Sequence, residues 1–101
     1  MYAPPADLPL SVHAELPDSL RMRDQRSEWA DANRNGARLH SFLEGPAFDR
    51  SGALYLVDIP FGRILRLGPD GTWDVLIRYD GWPNGLRVHR DGSLWIADRR
   101  N

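Results

Sequence analysis

The chain has 101 residues, a formal net charge of −1 at pH 7 and 42% hydrophobic residues. This composition is ordinary for a globular domain, and its near-neutral charge provides no basic field for nucleic acid or anionic lipid. All 13 basic residues are arginine and no cysteine is present, which excludes disulfides, zinc–thiolate sites and Schiff-base chemistry in this sequence.

No apolar run approaches the roughly 20 residues that a membrane-spanning helix needs. The N-terminus lacks a basic start followed by an apolar segment, so the sequence shows no signal peptide. These features predict a cytoplasmic protein without membrane or nucleic-acid partners.

Residues 1–40 are predicted to form an N-terminal arm followed by a polar insert. Four prolines within the first 17 residues favour an extended backbone. Leu8, Leu10 and Val12 alternate with other residues, which permits one short strand that would latch onto a later sheet. A frayed terminus is the equal alternative.

The most polar segment spans residues 21–38, where five arginines are mixed with acidic residues. Such mixing favours a solvated insert over a phosphate-binding site. Ser27 is expected to cap a short helix that ends at Asn35 and Gly36, because Ser is a good N-cap and Asn-Gly a good left-handed stop. Trp29 is expected to anchor this insert to the rest of the domain.

From Glu44 onward, hydrophobic residues alternate with polar ones between regularly spaced turns, which indicates β-strands. Gly and Pro-Asp-Gly sequences mark the turns. The predicted strands are residues 46–49, 54–58, 63–67, 73–78, 86–89 and 93–97.

The segment EGPAFDRSGALYLVD, residues 44–58, returns as NGLRVHRDGSLWIAD, residues 84–98, at a constant offset of 40 (84 − 44 = 40). Short strands repeating at this period are typical of β-propeller blades. We therefore predict an all-β fold in which residues 41–101 form a partial propeller, with one complete blade and a truncated second one. The truncation indicates the N-terminal portion of a longer protein or a truncated gene product, and unpaired strand edges would permit self-association.

Glu44 and Asn84 occupy the same place in the two repeats, just before or at the start of a blade's innermost strand. Innermost strands surround the central channel of a propeller, so both side chains are expected to point into it. A carboxylate and an amide oxygen together suit Ca²⁺, or Mg²⁺ or Mn²⁺ in a smaller site. The alternative is that both residues only form turns.

The sequence FLEGPAFDRSGALYLVDIPFGRILRLGPDG, followed by GWPNGLRVHRDGSLWIAD, resembles the senescence marker protein / gluconolactonase / regucalcin-like family. The resemblance implies a six-bladed propeller with one divalent cation in its channel, usually Ca²⁺, with Mg²⁺, Mn²⁺ and Zn²⁺ as alternatives. It also implies hydrolysis of sugar lactones or related esters. Glu44 matches the family's first metal ligand, whereas Asn84 matches either a ligand or a residue of the substrate pocket.

Trp82 and Arg87 are candidates for contacting a small-molecule lactone or ester, with a structural role as the alternative. His89 is expected to be a surface turn residue rather than a general base. Asp58 and Asp98 recur at strand ends, which favours bonds to backbone over catalysis. No catalytic residue is assigned, because the family's later asparagine and aspartate have no counterpart in this sequence.

The leading hypothesis is a fragment of a metal-dependent sugar-lactone hydrolase, and enzymatic activity of this chain alone stays open. The alternatives are a non-catalytic propeller-type interaction module and an inactive truncated copy.

Overall fold

The computed structural model describes residues 2–101. Six β-strands form most of its regular structure, together with one α-helix and two short 3-10 helices, Asp18–Leu20 and Ile59–Phe61. The helix is α1 (Glu28–Asn33), and the strands are β1 (Leu43–Phe48), β2 (Leu54–Asp58), β3 (Arg63–Leu67), β4 (Trp73–Arg78), β5 (Pro83–Val88) and β6 (Leu94–Asp98).

The strands form two antiparallel sheets in chain order. One sheet has the order β1-β2-β3-β4, and the other consists of β5 and β6. Strand β5 lies beside β1 and β2, so the first strands of the two sheets are neighbours in space. The predicted all-β, antiparallel architecture is confirmed, while the assignment of the sheets to propeller blades stays a prediction.

Strands β2, β3 and β4 have the bounds that the sequence pattern predicts. Strand β6 is shifted by one residue, and β1 and β5 each begin three residues before their predicted starts at 46 and 86. Both strands were predicted to begin directly after a glycine, but strand pairing extends to the residues that precede this glycine. Leu43 pairs with Asp58, and Pro83 pairs with Asp98.

The repeat is visible in the hydrogen bonds at the strand ends. Asp58 Oδ1 accepts a hydrogen bond from the backbone N–H of Phe42 at 2.8 Å. Asp98 Oδ1 accepts the equivalent bond from Trp82, 40 residues later, at 3.1 Å. Both bonds tie the end of one strand to the residue before its hairpin partner. The prediction that these aspartates bond to backbone is confirmed.

The two aspartates differ in their remaining partners. Asp58 is fully buried and pairs with Arg63, which is 3% exposed; Nε and Nη2 of the arginine lie 2.8 and 2.7 Å from Oδ2. Asp98 instead accepts from the Tyr79 hydroxyl at 2.5 Å. Burial raises the pKa of Asp98, but its bonds from Tyr79 and from three backbone N–H groups outweigh that effect and lower the pKa to about 2.

The hydrophobic core lies between α1 and the two sheets. Its buried members are Trp29, Ala30, Val57, Ile59, Ile64 and Leu86. The Trp29 ring packs against Phe42 with 5.3 Å between centroids, and the guanidinium of Arg34 covers both rings. Trp29 therefore anchors the polar insert, as predicted.

The start and end of α1 follow the predicted signals. Ser27 Oγ accepts a hydrogen bond from the Ala30 N–H at 3.2 Å and donates one to the Pro60 carbonyl at 2.7 Å. Asn35 and Gly36 both adopt positive φ, of 53° and 74°. The capping serine thus also fixes the helix to the loop between β2 and β3.

The arm carries no strand over residues 2–16. Leu8, Leu10 and Val12, whose alternation permitted one, are exposed. The strand prediction is wrong here because alternation makes a strand only where a sheet edge supplies backbone partners, and these residues lie against none. Only near its end does the arm reach the domain, where Leu16 is buried.

Candidate functional site

Each candidate metal ligand lies at or directly beside a β-bulge. In the first sheet Glu44 pairs with Val57 and Ala47 pairs with Tyr55. The chain therefore advances three residues along β1 while it advances only two along β2, so β1 contains one extra residue. In the second sheet Pro83 pairs with Asp98 and Gly85 pairs with Ala97, so the extra residue is Asn84 and this shift lies slightly earlier in the repeat than the first one. A bulge bends its strand and redirects a side chain, and such irregularities are common next to functional sites.

Both candidate ligands have uncommitted oxygens. The side chains of Glu44 and Asn84 are partly buried, and neither forms a hydrogen bond to the rest of the chain within residues 2–101. Partly buried polar groups usually find a partner within the protein or in solvent. These two are thus free to bind a ligand.

Glycine next to each candidate ligand lets the two inner strands approach closely. Gly45 adopts φ of 61°, and a Cβ placed on it would lie 3.2 Å from the Leu86 nitrogen and 3.3 Å from the Gly85 Cα. Only glycine accepts both the positive φ and this backbone contact without strain. Strands β1 and β5 therefore approach closely at Gly45, next to Glu44.

A cavity of about 670 Å³ opens along these strands, lined by Gly45, Pro46, Ala47, Gly85, Leu86, Arg87, Trp95, Ile96 and Ala97. Glu44 and Asn84 are not among the lining residues. They directly precede the cavity-lining segments of β1 and β5, so the structure does not place the two side chains within this cavity.

The two candidate substrate residues are separated by the fold. Arg87 is exposed, lines the cavity and lies opposite Trp95 in the β5–β6 pairing. Trp82 packs against the core, with the Arg100 guanidinium 5.5 Å from its ring centroid. These contacts match a structural role for Trp82, which was the alternative to substrate binding. Arg87 forms no such contacts. A substrate-binding role for either residue stays a prediction.

Trp95 is an aromatic cavity residue for which the sequence predicted no role in the site. It takes the place of Tyr55 in the repeat and is 67% exposed, although it is a large aromatic residue. Its pairing with Arg87 could have been found from the register implied by the His89–Gly92 turn.

His89 and its counterpart Asp49 are turn residues. Asp49 accepts hydrogen bonds from the Ser51 hydroxyl and the Tyr55 hydroxyl, and these bonds lower the pKa of Asp49 to about 2. His89 is exposed, and its Nδ1 accepts from the Asp91 N–H at 3.2 Å. The prediction of a surface turn residue at this position is confirmed.

The donor set is suited to a hard cation but supplies only part of a site. Carboxylate and amide oxygens are ligands that Ca²⁺ prefers, and it takes 6 to 8 of them. Within residues 2–101, no group of three or more His, Cys, Asp and Glu side chains is arranged to hold a metal ion. The oxygens of Glu44 and Asn84 are thus of the chemical type that a hard cation prefers, and their role as ligands stays a prediction.

A separate polar cavity of about 290 Å³ lies between α1 and the β4–β5 connection. Two of its arginines form ion pairs, Arg100 with Glu28 and Asp80, and Arg26 with Asp31. The third, Arg78, donates a hydrogen bond to Gln25 Oε1. The Arg100–Glu28 pair joins the insert to the segment that follows the second sheet. Over the part of the chain that the structure describes, no helix has the length and apolar character to cross a membrane.

Curated relatives match most of the chain but a small part of their own length. Lactonase drp35 of Staphylococcus aureus strain MRSA252 is 31% identical over 72 residues, which cover 68% of this chain and 21% of the relative. Lactonase drp35 of strain USA300 is 30% identical over the same span. Lactonase drp35 of Staphylococcus epidermidis strain ATCC 35984 is 36% identical over 58 residues, covering 54% of this chain and 18% of the relative.

The chain therefore spans about a fifth of the length of the curated relatives it matches. No family model and no solved structure matches it.

Proposed function

We propose that this chain is part of a metal-dependent sugar-lactone hydrolase of the gluconolactonase family, in which its sheets form the first one and a half blades of a six-bladed propeller. The similarity to lactonase drp35 supports a lactonase-like reaction. The observation that carries the proposal is that Glu44 directly precedes a bulge on β1 and Asn84 is the extra residue of a bulge on the neighbouring strand β5.

Glu44 is the proposed anionic ligand of a divalent cation, with Ca²⁺ the first choice. Its carboxylate is partly buried and unbonded, so binding would break no existing hydrogen bond. Asn84 contributes a neutral oxygen either to the cation or to the substrate. When bound, a divalent cation supplies Lewis-acid polarisation of the lactone carbonyl.

Arg87 is the proposed substrate-contacting residue of this chain, because its exposed guanidinium borders the cavity beside the two bulges. Five N–H donors on a planar group suit the oxygens of a sugar lactone or ester. No residue here is assigned as acid or base, so the proposal for this chain concerns binding.

Calcium titration by isothermal calorimetry tests the metal ligand. Two protein oxygens predict weak binding, with a dissociation constant on the order of 10⁻³ M. Glu44→Gln should abolish the heat, whereas Asp74→Asn, which removes an exposed carboxylate on the outer strand β4, should leave it unchanged. Absence of heat in the parent chain, or equal heat in Glu44→Gln, would reject the metal ligand.

Asn84→Ala separates the two roles of the amide. A ligand role predicts that the calcium heat falls in this variant, as it does in Glu44→Gln. A pocket role predicts unchanged calcium heat and weaker binding of a gluconolactone probe in the same calorimeter. Unchanged values for both titrations would remove Asn84 from the site.

A second candidate function is a non-catalytic interaction module. The observation that favours it is the lack, over residues 2–101, of any group of three or more potential acidic, histidine or cysteine ligands. Under this alternative Glu44 and Asn84 serve only the backbone geometry of their bulges. The interaction-module alternative is favoured if the parent chain shows no heat of calcium binding.

A further inference from the structure

A further cavity lies at the end of β1 and β5 opposite to Glu44 and Asn84. It has a volume of about 450 Å³ and opens between the turn from β1 to β2 and the turn from β5 to β6. Both walls are therefore formed by this chain, and the volume falls within the range of small-molecule sites. The lining residues are Phe48, Asp49, Arg50, Ser51, Val88, His89, Arg90 and Gly92.

The two turns that form this cavity have matching backbones. Residues 49–52 correspond to residues 89–92 at the repeat offset of 40 (89 − 49 = 40). In each turn the N–H of the last residue, a glycine, donates to the carbonyl of the first, at 3.2 Å in the first turn and 2.9 Å in the second. The two glycines adopt φ of 90° and 89°. Arg50 and Arg90 are thus the second residues of two equivalent hydrogen-bonded β-turns.

The arginines of these turns differ from most other arginines of the chain. Arg50 and Arg90 are exposed, and within residues 2–101 neither guanidinium forms an ion pair. Elsewhere, Arg63 is paired with Asp58, Arg26 with Asp31 and Arg100 with Glu28. Two uncommitted guanidiniums therefore border one cavity, and both are available to an external anion.

The acidic residues beside these arginines are bonded to their own turns. The Asp49 carboxylate accepts four hydrogen bonds, from the N–H groups of Ser51 and Ala53 and from the hydroxyls of Ser51 and Tyr55. Asp91 Oδ1 accepts from the N–H and the hydroxyl of the serine two residues later. The carboxylates thus stabilise the two turns instead of pairing with the arginines.

We propose that this cavity binds an organic phosphate monoester, whose phosphate lies between Arg50 and Arg90 and whose apolar part packs on Phe48 and Val88. A guanidinium matches two oxygens of a phosphate, and a phosphate dianion has enough oxygens and charge for two arginines. A carboxylate has two oxygens and one charge, which a single arginine satisfies. Phe48 is 60% exposed, so it offers aromatic surface to the organic part of the ligand.

This site is separate from the proposed metal site. Glu44 and Asn84 lie near the starts of β1 and β5, whereas Arg50 and Arg90 follow the ends of these strands. Six residues of strand span roughly 20 Å, so one small ligand cannot contact both places. The inference therefore does not rest on calcium binding or on lactone hydrolysis, and each can fail without the other.

Titration of phenyl phosphate into the intact chain, followed by amide NMR signals, tests this site. The Gly52 and Gly92 signals should both shift, because these residues close the two turns, whereas Gly71 in the turn from β3 to β4 should not respond. Two exposed arginines and one aromatic contact predict a dissociation constant on the order of 10⁻³ M. Inorganic phosphate should bind more weakly, because no part of it packs on Phe48.

Substitutions separate the ionic and the apolar contacts. Arg50→Gln and Arg90→Gln should each weaken phenyl phosphate binding roughly tenfold, as expected for the loss of one charged donor. Arg99→Gln removes an exposed arginine outside this cavity, so this matched control should bind like the parent. Phe48→Ala should lower the affinity for phenyl phosphate to that for inorganic phosphate. Circular dichroism checks that each variant is folded.

Three results would overturn the proposal. The first is the absence of shifts at Gly52 and Gly92 when the parent chain is mixed with an excess of phenyl phosphate. The second is an equal loss of affinity in Arg50→Gln and Arg99→Gln, which would mean that the overall charge of the surface attracts the anion. The third is equal affinity of the parent for phenyl phosphate and inorganic phosphate, which would exclude recognition of an organic monoester.

Discussion

Replacing Asp58 should destabilise this protein more than any equivalent change at Asp98. Asp58 is 0% exposed and its partner Arg63 is 3% exposed. Removing one member of a buried ion pair costs about 3–5 kcal/mol, because the other charge stays buried without compensation. A domain of this size has roughly 5–15 kcal/mol of total stability. Asp58→Ala should therefore leave the chain marginally folded or unfolded.

The arginine makes the expected loss large. Its Nη2 is buried and, although it lies 2.7 Å from Asp58 Oδ2, has no hydrogen-bond partner of good geometry within residues 2–101. The Phe61 ring, with its centroid 5.9 Å away, offers only weak compensation. The Phe42 N–H would also lose its acceptor in Asp58→Ala, which adds about 1 kcal/mol because this donor is partly buried.

Urea unfolding followed by tryptophan fluorescence and circular dichroism measures these effects. Asp58→Asn keeps an oxygen for Phe42 but removes the charge, so it isolates the ion pair at about 3 kcal/mol. The double variant Asp58→Asn, Arg63→Met removes both charges and should lose less than the sum of its single variants. Asp98→Asn is the matched control, and it should cost about 1 kcal/mol because its carboxylate is partly exposed.

Two outcomes would refute this reasoning. Losses below about 1 kcal/mol for both Asp58→Asn and Arg63→Met would mean that solvent reaches the pair and screens it. A double variant whose loss equals the sum of the single losses would mean that the two charges do not stabilise one another.

Two further predictions concern the turns and the acid stability. Gly62→Ala should reduce the free energy of unfolding by more than about 2 kcal/mol, because φ is +61° and the new Cβ would overlap the Tyr79 carbonyl oxygen. Gly71→Ala, with φ of +88° and open space around its Cβ, should reduce it by about 1 kcal/mol. Thermal unfolding of the two variants compares these losses. Because the pKa of Asp98 falls from its ordinary 3.8 to about 2 in the fold, its contribution to stability is present above pH 3.8 and is lost as the pH falls towards 2. Asp98→Asn should therefore reduce the stability difference between pH 6 and pH 2 in urea titrations, and an unchanged difference would contradict the assigned role of this carboxylate.

Local signals in the sequence were sufficient for the middle of the fold. Strands β2, β3 and β4 are short, rich in β-branched, aromatic and leucine residues, and separated by glycine-containing turns, so their bounds follow from composition and the turn residues. The cap at Ser27 and the left-handed stop at Asn35 and Gly36 are equally local. These features depend on a few neighbouring residues, which is why they could be predicted.

Features that depend on distant partners could not be predicted in the same way. The bulges next to Glu44 and at Asn84 arise from pairing across a hairpin. From the sequence alone, the glycine beside each residue indicated that the strand begins only after it. The repeat predicted that Asp58 binds backbone, but its pairing with Arg63 has no equivalent in the second sheet to reveal it. The arm failed as a strand because no edge receives it, which the arm's own sequence does not encode.

The candidate site shows why the register of a strand matters more than the nature of its residues. Trp82 and Arg87 are only five positions apart and both suit a sugar, yet Trp82 precedes β5 and is tied to Asp98 through its backbone N–H. Arg87 lies beyond the Asn84 bulge, and that extra residue sets which side of the sheet every later residue of β5 occupies. Without the bulge, Arg87 would exchange sides with Leu86, leaving a charge in the core and a leucine at the cavity. The same irregularity that presents Asn84 therefore also places Arg87, so deleting Asn84 should damage folding and binding together.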